Sequence, residues 1–336
     1  MKKFIRNVLS IIPRNFIFCD VGARWGIEEP WKSFDDTINI CAFEPDKDEF
    51  DSLMIKKGDK EEIYPYALYK ESKDIPLNLT KSRGCSSLYT PNYDFLKNFN
   101  DVERFEVEDQ LIVKATTLDN LFNNKVLTNM DFIKIDTQGA ELDILEGGEK
   151  FLSENIIGIQ VEVEFQPLYK DQPLFSDIDV FIRKRLGLQL QDLRKTYWKY
   201  PEGVKTGATK GQLVFGDALY FRSPQEIFSW CSCQKKNEAA IKLHMAILMG
   251  VVYGYLDFSL CLLSNSLLNE YFEKKIIERW RSIILDYGKS LRIKIRGAGR
   301  LANIFTLLYR MCQPTHEGWA SVGHHLGMKK KYGIFY

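Results

Sequence analysis

The sequence predicts an α/β protein: a seven-stranded, mostly parallel sheet with an antiparallel last strand, followed by an all-helical C-terminal region. Three observations lead there. Apolar runs ending at acids alternate with amphipathic stretches from Phe16 onward, the βαβ rhythm of a parallel sheet. The last two apolar runs, "LGLQLQDL" and "GQLVFGDALYFR", are separated by a loop without helical pattern, so they pair antiparallel. Beyond Pro224 the pattern is helical throughout.

In chain order, "MKKFIRNVLSIIPRN" has a basic start, but its apolar part is short and broken by Arg6 and Asn7. It lacks a small-residue cleavage site and reads as a lead-in helix. A strand over 16–20 precedes a helix near 25–33, a strand over 38–43, a helix over 46–57 and a third strand over Glu62 to Tyr66. About 60 less regular residues follow, with strand-like pieces at "IPLNLT" and "QLIVKATT". "MDFIKID", Met130 to Asp136, is the fourth strand, "AELDILEGGEKFL" a helix and "IIGIQVEVEF" the fifth strand. A helix over Ser176 to Arg185 and the final two strands complete the sheet. The first domain spans 1–223 and a helical second domain 224–336, where Leu268, Tyr271, Phe272, Ile276, Trp280, Ile283 and Ile284 share one stripe.

Composition narrows the class. At 336 residues, 45% hydrophobic and 27% charged, the chain can bury a sizeable core, and wholesale disorder is excluded. Residues 224–336 hold 16 Lys and Arg against 8 Asp and Glu, whereas the part before holds 30 against 37. A basic C-terminal part suits an anionic partner: a phosphorylated substrate, a peripheral membrane contact or the acidic domain itself. A solvated basic face stands equally open. Seven cysteines, without metal-type pairing apart from the tight Cys231 and Cys233, suggest a reducing compartment, hence the cytoplasm, and make zinc improbable. The apolar segment Ile241 to Leu263 contains Lys242, His244 and Asp257. Its uninterrupted run from Met245 to Leu256 is 12 residues long, the length of a core helix rather than a membrane span.

The loop "DVGARWG" directly after the first strand points to a ligand. In open parallel sheets ligands sit at the carboxyl ends of the strands. Gly22 permits a sharp turn there, and Gly26 lets the expected helix pack closely with its amides toward the ligand. Glu44 closes the second strand 24 residues after Asp20, where a carboxylate accepts hydrogen bonds from ribose hydroxyls. An acid ahead of the glycines disfavours a diphosphate and suits a cationic nucleoside such as S-adenosylmethionine.

The blocks "FCDVGARWG", "CAFEPD", "GCSSLY", "TTLDNL", "MDFIKIDTQGAELDILEGG" and "VEVEFQPLYKDQPLFSDIDVFI" together resemble FkbM-type S-adenosylmethionine-dependent methyltransferases over about residues 14–223. The resemblance implies a class I, Rossmann-like methyltransferase fold and methyl transfer to an oxygen of a sugar or polyketide hydroxyl. It also implies a role in tailoring bacterial surface polysaccharides. It puts the cofactor on Asp20, Gly22, Gly26 and Glu44, with Asp136 at the floor; Ala23, Pro45 and Ala67 complete the expected pocket. Position 138 is Gln where the family pattern commonly has an acid.

Methyl transfer to a hydroxyl needs alignment and a base or metal that helps to develop the oxyanion. All four histidines, His244, His316, His324 and His325, lie beyond the matched region, so the expected base is a carboxylate: Asp136 first, then Glu164, then Glu162. Strand alternation places Glu162 and Glu164 on one face, where a divalent metal is conceivable but not favoured. Asp136 as a helix cap is the competing role, and Glu141 reads as a first-turn acid. For the acceptor, Ser86 and Ser87 in "KSRGCSSLYT" offer hydrogen bonds. Arg194, Tyr197 and Trp198 in "RKTYWKYPEGVKTGATKGQ" suit a phosphorylated sugar by charge and stacking. "RGAGR", Arg296 to Arg300, reads as a turn rather than a phosphate loop.

The expected function is an O-methyltransferase acting on a sugar or glycan precursor, with the helical region as acceptor platform or homo-oligomer interface. Two alternatives stand beside it: a protein or nucleic-acid acceptor, for which no binding module is visible, and a catalytically silent cofactor-binding scaffold.

Overall fold

A computed structural model describes residues 2–24, 26–204, 211–291, 297–312 and 319–322. Helix α1 (Lys2–Leu9) leads into β1 (Phe16–Val21), followed by β2 (Ile38–Phe43), α2 (Lys47–Lys56) and β3 (Glu61–Tyr64). β1 lies between β2 and β7 (Phe132–Ile135), all parallel, and β8 (Gly158–Glu164) continues on the far side of β7. Next come β9 (Gln189–Trp198) and β10 (Gln212–Phe221), the latter inserted antiparallel between β8 and β9. The resulting order β3-β2-β1-β7-β8-β10-β9 is the doubly wound sheet that the sequence predicts. Among the described residues an eighth strand, β11 (Ala320–Val322), pairs with β9, so the C-terminal region is not all-helical.

The insert between β3 and β7 is more regular than its sequence suggests. β4 (Ala67–Leu68), β5 (Lys73–Thr80) and β6 (Val107–Thr116) form a second sheet in the order β4-β6-β5, with the two strand-like pieces paired antiparallel. Ile75, Leu77, Leu79, Val113 and Ala115 give it a small core. A short helix α3 (Tyr93–Leu96) lies in the insert, and α4 (Leu118–Asn123) closes it.

Each face of the main sheet has its own cover. On one, α4, α5 (Glu141–Glu146), α6 (Glu149–Asn155) and α7 (Phe175–Arg185) bury Leu118, Leu145, Phe151 and Ile182 against Val21, Ile133 and Val161. On the other, the expected helix near 25–33 is missing. Pro30 has no N–H for a helix interior, and Gly26 stands at φ +70°, in the left-handed region. A 3₁₀ turn, Trp31–Thr37, replaces it. The Trp31 ring packs against Phe16, Phe18, Phe132 and Tyr253 at centroid distances of 4.6 to 5.8 Å.

The rest of that face is covered by the C-terminal helices. After the short α8 (Pro201–Val204), Ser223 and Glu226 form a capping box that starts α9 (Pro224–Ser232). There follow α10 (Lys236–Val252), α11 (Leu256–Ser264), α12 (Lys274–Leu291) and α13 (Ala298–Cys312). α10 is apolar on nearly every side because it is enclosed. Its Leu243, Ile247 and Val251 share one core with Phe18, Phe132 and Phe221 of the sheet and Trp280 of α12. The boundary expected at 223/224 therefore does not separate two cores. Ile241 to Leu263 folds as α10 and α11, and among the described residues no helix is long and apolar enough to cross a membrane. Of the expected stripe, Leu268 and Phe272 are buried ahead of α12, which begins only at Lys274.

This core contains its own charge lock. Asp131, fully buried before β7, accepts two hydrogen bonds from Arg14 (2.6 and 2.8 Å), one from Lys242 (2.9 Å) and one from the Ile17 amide (2.8 Å). Lys242 also donates to the carbonyls of Met130 and Asn155, fixing α10 to the amino ends of the strands. His244 accepts from Trp280 Nε1 at 2.9 Å, and burial pulls its pKa down to about 4, so it is a neutral core residue. His316, His324, His325, Arg296 and residues 205–210 of the aromatic loop lie outside the described residues.

Candidate active site

The carboxyl ends of β1, β2 and β7 meet in a cleft. β1 turns at Gly22, whose φ is +83°; a Cβ there would stand 2.0 Å from the carbonyl oxygen of Asp136. Only glycine lets the loop after β1 touch the end of β7. The amides of Gly22 and Ala23 donate to the carbonyl of Phe43 (3.2 and 3.3 Å), tying the same loop to β2.

Glu44 follows β2, is 3% exposed and accepts from the Asp46 amide at 2.9 Å. Burial lifts its pKa to about 7, against the pull of that amide and of Arg24. Arg24 pairs with Asp46 at 2.8 Å and stands 3.9 Å from Glu44. Asp46 also caps α2 through the Asp48 amide.

Beside the cleft lies a carboxylate cluster. Asp20 pairs in register with Lys134 on β7, whose ammonium is 3.6 Å from Asp20 and 3.5 Å from Asp136. Burial alone would lower Lys134, but the two acids hold it above the ordinary lysine range. Asp20 Oδ1 is buried without a hydrogen-bond partner, and burial raises this acid despite Lys134. The Asp136 side chain is 33% exposed at the cleft wall. Burial pushes its pKa up, yet Lys134 and Gln138 outweigh that and keep it ionised. Gln138 Nε2 donates to Asp136 Oδ1 at 3.1 Å and also to Glu162 Oε2. Burial, then Asp136 and Glu164, raise Glu162 well above the usual carboxylate range. Glu164, fully buried, is raised likewise, and neither of its oxygens has a hydrogen-bond partner.

The turn carrying Gln138 is held by Glu141. Its Oε1 accepts from the Thr137 amide (2.8 Å) and hydroxyl (2.9 Å), and its Oε2 from the Gly139 amide (2.9 Å). Gln138 (φ +61°) and Gly139 (φ +113°) occupy left-handed conformations inside that turn. Glu141 is thus more than a first-turn acid: it shapes the loop that presents Gln138 between two carboxylates.

The chain matches the FkbM methyltransferase domain over residues 20–189, half of its length. It belongs to the FkbM methyltransferase family. It is an S-adenosylmethionine-dependent methyltransferase with the class I fold. No curated protein matches the sequence. Solved structures similar to this FkbM methyltransferase include magnesium protoporphyrin IX methyltransferase from Synechocystis PCC 6803 with bound S-adenosylmethionine. That protein is 8% identical, with 66% of this chain and 77% of that chain covered and a TM-score of 0.34. Another is TrmK of M. capricolum in complex with S-adenosylhomocysteine, 12% identical, with coverage of 86% and 97% and a TM-score of 0.29.

The cleft of this FkbM methyltransferase fits its cofactor. Gly22 lets the loop after β1 close onto the end of β7 where a Cβ would strike the Asp136 carbonyl, Glu44 offers a buried carboxylate at the wall, and Asp20 Oδ1, 3.6 Å from Lys134, is a buried acceptor without a hydrogen-bond partner beneath it. Gly22, Glu44, Pro45, Ala67 and Asp136 all line the cleft. Asp20 lies below with Lys134. Ala23 is buried with its amide on Phe43, and Gly26 stands away from the wall with nothing within 4 Å of a Cβ built there. Gly26 thus starts no helix, contrary to the expectation that its neighbours' amides face the ligand. Among the described residues no group of three His, Cys, Asp or Glu is placed to hold a metal ion.

The expected acceptor residues divide. Ser86 lines the cleft, whereas Ser87 donates to the Gln138 carbonyl at 2.6 Å and accepts from the Tyr89 amide. Arg194 is spent on Asp217, at 2.7 and 2.8 Å. Trp198 offers no face for a sugar: it is 2% exposed, packed among Phe99, Phe105, Phe215 and Trp319 with the Arg104 guanidinium over its ring. Tyr197 precedes it on β9, half-buried and away from the cleft wall. Sequence reasoning missed Lys134, Arg24 and Gln138 as organisers of the site. Placing the first and fourth strands side by side would have revealed Lys134 opposite Asp20.

Proposed function

We propose that this enzyme methylates a hydroxyl of a sugar or glycan precursor, in the manner of bacterial surface polysaccharide tailoring. The observation that carries the reading is the Asp136–Gln138–Glu162 bridge: a part-exposed carboxylate at the cleft wall, tied through one amide to a buried acid. S-adenosylmethionine, when bound, supplies an electrophilic methyl group. Glu44 and Asp20 hold the nucleoside and its cationic part, with Gly22 giving the loop its close approach. Asp136 accepts the proton of the acceptor hydroxyl, and Lys134 steadies its charge until then. Gln138 donates to both Asp136 and Glu162 and sets the spacing of the two acids. Glu164 lies deeper and acts through its effect on Glu162. Ser86 faces the cleft for the acceptor.

A cytoplasmic setting belongs to this reading. Cys19 and Cys41 lie opposite each other on β1 and β2 as free buried thiols, which suits a reducing compartment.

Turnover against a panel of nucleotide sugars, followed as S-adenosylhomocysteine formed, tests the proposal. Asp136→Asn is expected to lower kcat by about a hundredfold or more on an active sugar, within the usual reach of a positioned base. Full activity of that variant, or turnover confined to protein or nucleic-acid acceptors, overturns it.

A further inference from the structure

Between Lys289 and Cys312 the chain carries six Lys or Arg and no Asp or Glu. Most of this stretch is α13, "AGRLANIFTLLYRMC". Leu301, Ile304 and Leu308 fall on one stripe at helical spacing with Leu307 beside it, and all four are 41 to 59% exposed. Every described side chain of the helix is exposed, in contrast to the enclosed α10. Asn303 lies opposite the stripe and Arg300 at its edge. So many large apolar groups in a row, facing water, mark an interaction surface.

We propose that α13 is a membrane-surface helix, which sets its apolar stripe into the acyl boundary of an anionic bilayer with its basic residues among the headgroups. Charge decides between occupants. An anionic lipid surface complements an apolar stripe edged by Arg300 in a stretch, Lys289 to Cys312, whose charged residues are all basic, whereas a second copy would bring two like-charged segments together. Length decides between lying and crossing. Fifteen residues extend about 22 Å, short of the roughly 30 Å hydrocarbon core, and Arg300 and Asn303 interrupt the apolar run. The inference goes beyond the acceptor reading and stands without it.

Co-sedimentation of the full chain with vesicles tests it, using phosphatidylcholine alone and phosphatidylcholine with added phosphatidylglycerol. Binding is expected to the anionic vesicles, to weaken as salt shortens the Debye length below about 10 Å, and to be slight on phosphatidylcholine alone. The double variant Leu301→Asp/Leu308→Asp is expected to lose about a hundredfold in partitioning, the scale of two buried leucines. Arg300→Glu is expected to lose about tenfold. Unchanged melting temperature and S-adenosylhomocysteine affinity in both variants show that they remain folded. Absence of binding to anionic vesicles, equal binding by the double variant, or a dimer without vesicles that the double variant dissolves, overturns the proposal; the last outcome makes the stripe a contact between copies.

Discussion

The two ends of the main sheet both bury carboxylates, and they treat them in opposite ways. At the amino ends, Asp131 meets two cations and a backbone amide, so although burial opposes ionisation its partners hold its pKa below the ordinary range. At the carboxyl ends, Asp20 Oδ1 and both oxygens of Glu164 have no hydrogen-bond partner, and burial raises both acids and Glu44. A fully partnered buried charge holds the fold together. An under-partnered one keeps capacity for a ligand or a proton, at a cost in stability.

The largest effect that would break this contrast is at the amino end. Asp131→Ala leaves Lys242 and Arg14 without their counter-ion and is expected to cost about 3–5 kcal/mol in urea unfolding; a loss under 1 kcal/mol would show that the lock is ornamental. Next comes the pH profile. A protonated Glu44 adds stability that is fully present below its unfolded value of 4.5 and lost as pH rises through about 7. That decline is of order 2–3 kcal/mol and should be absent from Glu44→Gln. Asp131 has the opposite sign, since its contribution is lost only as pH falls below the ordinary aspartate range. For the same reason, S-adenosylhomocysteine binding below pH 7 should release protons, measurable by titration calorimetry in buffers of different ionisation enthalpy.

A sharper probe of the cleft is Gly22→Ala, expected to weaken S-adenosylhomocysteine binding about a hundredfold because the new methyl group meets the Asp136 carbonyl. Gly26→Ala pays only for its left-handed backbone and should bind within a few-fold of the parent. The smallest change is expected from Glu164→Gln. Replacing a buried acid that burial raises well above the usual carboxylate range should leave stability within about 1 kcal/mol of the parent, and a large loss would mean that this carboxylate is ionised and paired.

What the sequence revealed of this fold followed periodicity. Strands such as "FIFCDV" and "GIQVEVE" are buried on both faces and read as apolar runs, and the enclosed α10 reads as a helix without a polar side. Periodicity tells that a face is covered and not by what: the pattern of α10 shows an enclosed helix, and the fold shows the sheet among its neighbours. The absent helix near 25–33 is legible in Pro30, whose missing N–H outweighs the apolar spacing around it. β11, three residues long, has no pattern to detect. At the site, Asp136 and Glu44 could be named from their places at strand ends. Trp198 misled because an aromatic residue at the end of a strand looks the same whether it stacks on a ligand or fills a core.

The insert is tied to the carboxylate end by contacts that include Ser87 on the Gln138 carbonyl, the Tyr89 hydroxyl on Asp143 at 2.5 Å, the Tyr169 hydroxyl on the Cys85 carbonyl at 2.8 Å, and the bridge between Pro91 and Tyr169. Between and before these anchors, residues such as Arg83, Gly84 and Ser86 face the cleft without carrying its framework. That makes the rim an exchangeable module: a graft that keeps Ser87, Tyr89 and Pro91 can alter which acceptor is welcomed while the proton-handling machinery keeps its alignment.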